Sequence, residues 1–271
     1  MAKKKKNIPL PELSTGINAV DTHCHLDMAA YKTDLDDIIS RAQNVGVSRI
    51  VTIGIDLRSS EKAVELASQY NCIYATVGVH PHDAKDFTTE TEEKLKHLAL
   101  QQKVVAYGEI GLDFVKEYSP KETQLNVFKR QVAIAKELHL PLIIHDREAH
   151  DHIYQILKDN NPFPEGGIIH CFSGDASDAR RFIELGFLIS IPGVITFNKA
   201  ELLQNAVREI PIESLLIETD GPFLAPVPKR GKRNEPSYVL YTAAKVAEIK
   251  EVSLDELVTQ TTLNAIKLFS I

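Results

Sequence analysis

Eight short runs of β-branched and aliphatic residues recur along the chain, each followed by a longer segment with helical periodicity. The runs cover residues 18–21, 49–53, 73–77, 104–107, 142–144, 167–169, 187–189 and 215–217. They are apolar on both sides of the strand alternation, as parallel strands covered on both faces should be. The periodic segments predict helices at 34–45, 60–70, 91–101, 121–138, 149–158, 176–185 and 200–209, with two more near 236–248 and 254–269. Thr33 is placed to cap the first helix and Gly46 to end it. Such alternation leaves two architectures, a closed (β/α)8 barrel or a doubly wound open sheet. No dinucleotide-type glycine fingerprint follows the first run, where Asp21-Thr22-His23-Cys24-His25 stands instead. With 271 residues and no low-complexity linker, the reading is an α/β TIM barrel, one domain over residues 15–271. Residues 1–14, with lysines at 3–6, are expected to form a disordered basic arm.

A barrel of this kind keeps its chemistry on the loops leaving the C-terminal ends of its strands. His23 and His25 follow the first run, His80 and His82 the third, Glu109 the fourth, His145 the fifth, His170 the sixth and Asp220 the eighth. The i, i+2 spacing of His23 and His25 lets both side chains point the same way from an extended segment. Imidazoles and carboxylates brought together in one pocket must shift their pKa values, pair or bind a cation. The donor set suits zinc, manganese, iron or nickel, and magnesium where carboxylates and water dominate. A carboxylate between two histidine sets allows two ions about 3.5–4 Å apart, an arrangement that clamps the attacking and leaving oxygens of a hydrolysis. By contrast, His97 and His139, in helical segments, read as structural and His150 and His152 as surface residues, with Cys24 and Cys171 as buried apolar cysteines pointing away from the ligands. No nucleophile-elbow or P-loop motif is present.

The net charge of −6 argues against a protein that coats nucleic acid, so a polyanion would have to be gripped locally. Three scattered cysteines without a CxxC pair point to a reducing compartment, and no apolar run approaches the roughly 18 residues of a membrane span. The start has no hydrophobic stretch behind its lysines, so it does not read as a secretory signal. A cytoplasmic protein without membrane contact is expected.

Seven ordered motifs resemble the TatD-type metal-dependent hydrolases. They are Asp21-Thr22-His23-Cys24-His25-Leu26-Asp27, Gly78-Val79-His80-Pro81-His82, Gly108-Glu109-Ile110-Gly111-Leu112-Asp113, Ile144-His145-Asp146-Arg147, His170-Cys171-Phe172-Ser173-Gly174, Glu218-Thr219-Asp220-Gly221-Pro222 and Arg230-Gly231-Lys232-Arg233-Asn234-Glu235-Pro236. The resemblance implies a TIM barrel, two divalent ions (Mg2+, Mn2+, Zn2+ or similar) and deoxyribonuclease activity that includes 3′ exonuclease trimming. It places His23, His25, Glu109 and Asp220 around one ion, and Glu109, His145 and His170 around the second, with Glu109 bridging. Asp146 stands where Ser or Thr is common in the family, which bears on substrate contacts and leaves the ligand positions intact.

Under that resemblance the expected reaction is phosphodiester hydrolysis at single-stranded DNA ends, by a monomer. Asp220 and Glu109 are the expected catalytic residues, Asp220 relaying the proton of the attacking water. His80, Arg147, Arg233 and Asn234 are expected at the substrate, since an arginine fork matches phosphate oxygens. Two other functions fit parts of the pattern, a metal-dependent ester or amide hydrolase such as a D-aminoacyl-tRNA deacylase, and a noncatalytic barrel with a structural metal.

Overall fold

The computed structural model describes residues 8–271. Each expected run carries a parallel strand: β1 Ala19–Cys24, β2 Val47–Thr52, β3 Ile73–Val77, β4 Val104–Asp113, β5 Leu142–Arg147, β6 Gly167–Ile169, β7 Phe187–Ile191 and β8 Leu215–Ile217. Neighbours in sequence are neighbours in the sheet, from β1 to β8. The ring closes between its two ends, where Cys24 bridges Gly221, Asp220 N–H donates to the His23 carbonyl (2.9 Å) and His25 N–H to the Gly221 carbonyl (2.7 Å). The barrel expected from the alternation is therefore the fold.

Helices α1 Leu35–Asn44, α2 Leu57–Gln69, α3 Thr89–Ala99, α4 Lys121–Glu137, α5 His150–Asp159, α6 Ala176–Glu184, α7 Glu201–Glu209, α8 Val239–Lys250 and α9 Leu254–Phe269 cover the outside. Two local expectations change. The residue capping α1 is Asp34 rather than Thr33, and its carboxylate is not spent on the helix but accepts from Arg233. The segment from 236 begins with a single 3-10 turn, Pro236–Tyr238, before α8 starts. Gly46 does follow α1 with φ +89, a conformation open to glycine. The lysines of the expected basic arm lie outside the described residues. Residues 8–14 run against the barrel, with Leu10 and Leu13 packed on the core and the Tyr241 hydroxyl donating to the Ile8 carbonyl (3.0 Å).

Two apolar layers position the polar groups. Val20, Val51, Ala106, Ile143, Ile168 and Leu216 pack with one another inside the ring, and Ala265 and Phe269 of α9 join them. Ile50, Ile73, Tyr107, Ile144, Ile169 and Leu215 face the helices in the second layer, with Ile38, Phe128 and Phe182. Side chains two apart on a strand share a face. Ile143 therefore leads to His145, Ile168 to His170, and Leu216 to Glu218 and Asp220, all entering the lumen above the apolar plug. Strands β1 and β4 would aim the wrong residues by this rule. Both carry a register shift, between Asp21 and Cys24 and between Tyr107 and Ile110, and these bulges re-aim His23 and Glu109. Gly111 lets β4 approach β5 beside this site, because a Cβ there would lie 2.0 Å from the His145 carbonyl oxygen.

Candidate active site

Glu109 stands at the centre of the polar end. It is 3% exposed. Its Oε1 lies 2.8 Å from His145 Nδ1, 3.1 Å from His170 Nε2 and 3.5 Å from His80 Nε2, while Oε2 lies 3.4 Å from His23 Nε2 and 3.8 Å from His25 Nε2. Asp220 Oδ1 faces the first-strand histidines, 3.3 Å from His25 Nε2 and 3.8 Å from His23 Nε2. Donor atoms within 4.8 Å of one another form three overlapping triads: His23, His25 and Asp220; His23, Glu109 and His170; His80, Glu109 and His145. All six expected ligands thus converge. His145 and His170 each meet Glu109 but fall into different triads, and His80 completes the one holding His145.

The pocket holds its charges by mutual contact. Burial would raise the Glu109 carboxyl, yet the His170 and His80 rings and hydrogen bonds from His145 and His170 outweigh it and hold the group well below the usual carboxylate range. Burial, joined by the neighbouring His170, pushes His23 down to about 3, so its imidazole is neutral at neutral pH. His170 moves well above the usual histidine range, because Glu218 and Glu109 overcome the burial that would lower it. The rings of His23 and His170 stack with 3.7 Å between centroids, one pushed down by burial and the other up by its two carboxylate neighbours.

Two carboxylates not singled out as site residues by the sequence complete the arrangement. Glu218 Oε1 accepts from the Cys171 backbone N–H (2.8 Å) and lies 3.2 Å from His170 Nδ1, which leaves Nε2 turned to Glu109. Asp113 accepts from the Val115 and Lys116 backbone N–H groups, and its Oδ2 lies 2.7 Å from His82 Nε2 and 3.5 Å from His145 Nε2. A carboxylate behind a histidine fixes the ring's tautomer and angle. One signal was legible: Glu218 lies two residues before Asp220, directly after an apolar strand.

A cavity of about 540 Å³ opens over this cluster. Arg147 lines it, with its side chain half exposed and Nη1 3.8 Å from Asp113. The structure places Arg233 and Asn234 elsewhere. Arg233 forks onto Asp34 (2.9 and 2.6 Å) and reaches the Ala30 carbonyl, while Arg41 of α1 forks back onto Glu235 (3.0 and 2.8 Å). Asn234 is fully buried, its amide donating to the Thr219 and Phe223 carbonyls, both at 2.7 Å. Asn234 staples the loop that carries Asp220 while Arg233 and Glu235 tie the same segment to the start of α1, so their polar groups are engaged there rather than at the cavity. Cys171 also departs from expectation. With φ +45 it turns into the cavity wall, whereas Cys24 is buried as expected. His150 is not a free surface residue, since Nδ1 lies 2.8 Å from Asp146 Oδ2; His152 is exposed as expected, and His97 and His139, expected as structural, are exposed too.

A model of the family described as TatD related DNase matches residues 20–270. The chain belongs to the TatD family. It is 47% identical to a Bacillus subtilis protein named uncharacterized metal-dependent hydrolase YabD, over 93% of this chain and 98% of that one. It is 36% identical to an Erwinia amylovora protein named 3′-5′ ssDNA/RNA exonuclease TatD, over 93% and 99%. The crystal structure of YJJV, a TatD homolog from Escherichia coli K12, superposes with a TM-score of 0.89 at 31% identity, covering 93% of this chain and 98% of that one. The protein is a metal-dependent hydrolase of this family. Its own donor set fits a cation. Both ring nitrogens of His23, Nδ1 of His25 and Nε2 of His145 are buried without a hydrogen-bond partner. Each such atom costs about 1–3 kcal/mol when left unmet.

Proposed function

We propose that this TatD-family barrel is a deoxyribonuclease that trims single-stranded DNA from the 3′ end, using two divalent ions per chain. The observation that carries the reading is Glu109, whose two oxygens face separate histidine sets and so match a carboxylate shared between two ions. The Erwinia relative's name points to the same substrate class. His23, His25 and Asp220 would hold one ion and His145 and His170 the other, with Glu109 common to both and His80 supporting the second. When bound, the ions supply Lewis-acid stabilisation of charge on the phosphoryl oxygens, whether Mg2+, Mn2+ or Zn2+ fills the site.

The chain's own groups do the rest. Asp220 faces the cavity and accepts the proton of the attacking water. Glu218 holds His170 in the orientation that presents Nε2, and Asp113 anchors His82 through that ring's own Nε2. Arg147, half exposed at the rim, clamps the phosphate flanking the scissile bond. A net charge of −6 with one arginine at the cavity suits an enzyme that grips a strand end, acting as a monomer in the cytoplasm. No helix among the described residues is long and apolar enough to cross a membrane.

The test incubates the protein with single-stranded DNA, RNA and aminoacyl-tRNA, with Asp220→Ala as control. Stepwise release of 5′-mononucleotides from DNA, lost with chelator and restored by Mg2+ or Mn2+, is the expected result. Cleavage of the aminoacyl ester with inert DNA would overturn it.

A further inference from the structure

One part of the cavity wall has no place in the metal cluster or its supports. Phe223 is 49% exposed and Leu224 36% exposed, and both line the cavity that holds Glu109, Asp220 and Arg147. A large apolar ring left half open at the mouth of a site forgoes part of the stabilisation that burial would give. Nor is the ring on a loose loop. Phe223 N–H donates to the Asp220 carbonyl (2.9 Å), the buried Asn234 amide donates to the Phe223 carbonyl (2.7 Å), and Asn234 N–H donates to the Pro222 carbonyl (3.0 Å). The ring stands edge-to-face against His25, 6.0 Å between centroids. Leu224 beyond it is held at φ +51, a region uncommon for a bulky residue. The same staple that sets Asp220 therefore also sets a flat apolar surface beside it.

We infer that Phe223 is the stacking platform for a nucleobase flanking the scissile phosphate, so that the enzyme recognises a strand end by a base face as well as by its phosphate. This rests on the nuclease reading and deepens it. Base–aromatic stacking tolerates any sequence, because every base has a π-face, and removing it costs about 1–3 kcal/mol, or roughly 5- to 150-fold. A simple phosphate ester without a nucleoside has no such face to offer at that position.

The experiment compares wild type, Phe223→Ala and Phe223→Trp on single-stranded oligonucleotides with normal 3′ ends and with an abasic residue at the last or the next-to-last position. On the normal strand, KM rises about tenfold in Phe223→Ala while kcat changes little, and Phe223→Trp restores it. At one of the two abasic positions the Ala and wild-type enzymes converge. A 2-aminopurine at that position is quenched on binding wild type and not on binding Phe223→Ala. Equal loss on normal and abasic strands, or quenching unchanged by Phe223→Ala, overturns the stacking role while leaving the nuclease intact. Wild type that cleaves no oligonucleotide and quenches no 2-aminopurine removes both readings.

Discussion

The two ends of the barrel are built on opposite rules. At one end Phe269 and Ala265 of α9 meet Val20, Val51, Ile143 and Leu216, and every group in the layer is apolar and satisfied. At the other, five histidines and two carboxylates crowd within contact distance and several ring nitrogens find no hydrogen bond. The strands run from one layer into the other, so a single alternation serves both. The apolar end supplies the stability that the polar end gives up. The polar end keeps its mismatch because a cation resolves it.

That contrast breaks most visibly at Glu109. Glu109→Gln keeps the shape but removes the negative charge and turns one of the two acceptor oxygens into a donor, and should lower kcat/KM on the order of 10³-fold or more in a metal-titrated assay while the fold persists by circular dichroism. Phe269→Ala should do the reverse. It opens the plug and costs about 3–5 kcal/mol in chemical unfolding, with turnover per folded molecule unchanged. A cation binding only the native cluster should raise stability by roughly 3 kcal/mol at about 100 times its Kd, read as a chelator-sensitive rise in Tm that vanishes in Glu109→Gln.

Smaller effects sharpen the role of the staple between α1 and the 233–236 loop. Asn234→Ala leaves the buried Thr219 carbonyl and the part-buried Phe223 carbonyl without this donor and should cost about 1–3 kcal/mol, with the Asp220 turn loosened and kcat reduced in parallel. The smallest effect is a pH dependence at Glu235. Burial would raise this carboxyl, but the hydrogen bonds from Arg41 and Ser237 outweigh it and hold it below its ordinary value. A folded pKa below the unfolded one gives stability that is complete above the ordinary glutamate pKa and is lost as pH falls through the folded value. Because Arg41 is half exposed, the pair is worth about 1 kcal/mol or less. Acid titration of Glu235→Gln should therefore lack that part of the wild-type loss below the glutamate range.

Much of this was legible in the sequence, and the gaps have physical reasons. Strands β3, β6 and β8 match their apolar runs because β-branched residues fill both faces. The expected fourth run stops at Tyr107 where β4 continues to Asp113, since Gly108-Glu109-Ile110-Gly111 reads as a break. Those glycines are what let the strand bulge and pass close to β5, so the feature that hid the strand end is the one that aims Glu109. The six converging residues could be read because a charge ending an apolar run has few other uses. Arg233 and Asn234 could not be assigned from type alone. A guanidinium suits a phosphate and a carboxylate equally, and only the fold shows that Asp34 stands opposite. Asp113 supports histidines on the neighbouring strands β3 and β5, and Glu218 supports His170 from two strands away, relations between separate elements that no local pattern displays.

The most direct test of the central claim is anomalous diffraction from crystals soaked in Mn2+. Two peaks are predicted, one enclosed by His23, His25 and Asp220 and one by His145 and His170, with a Glu109 oxygen reaching each. Density absent from this cluster, with the ion bound elsewhere or nowhere, would contradict it.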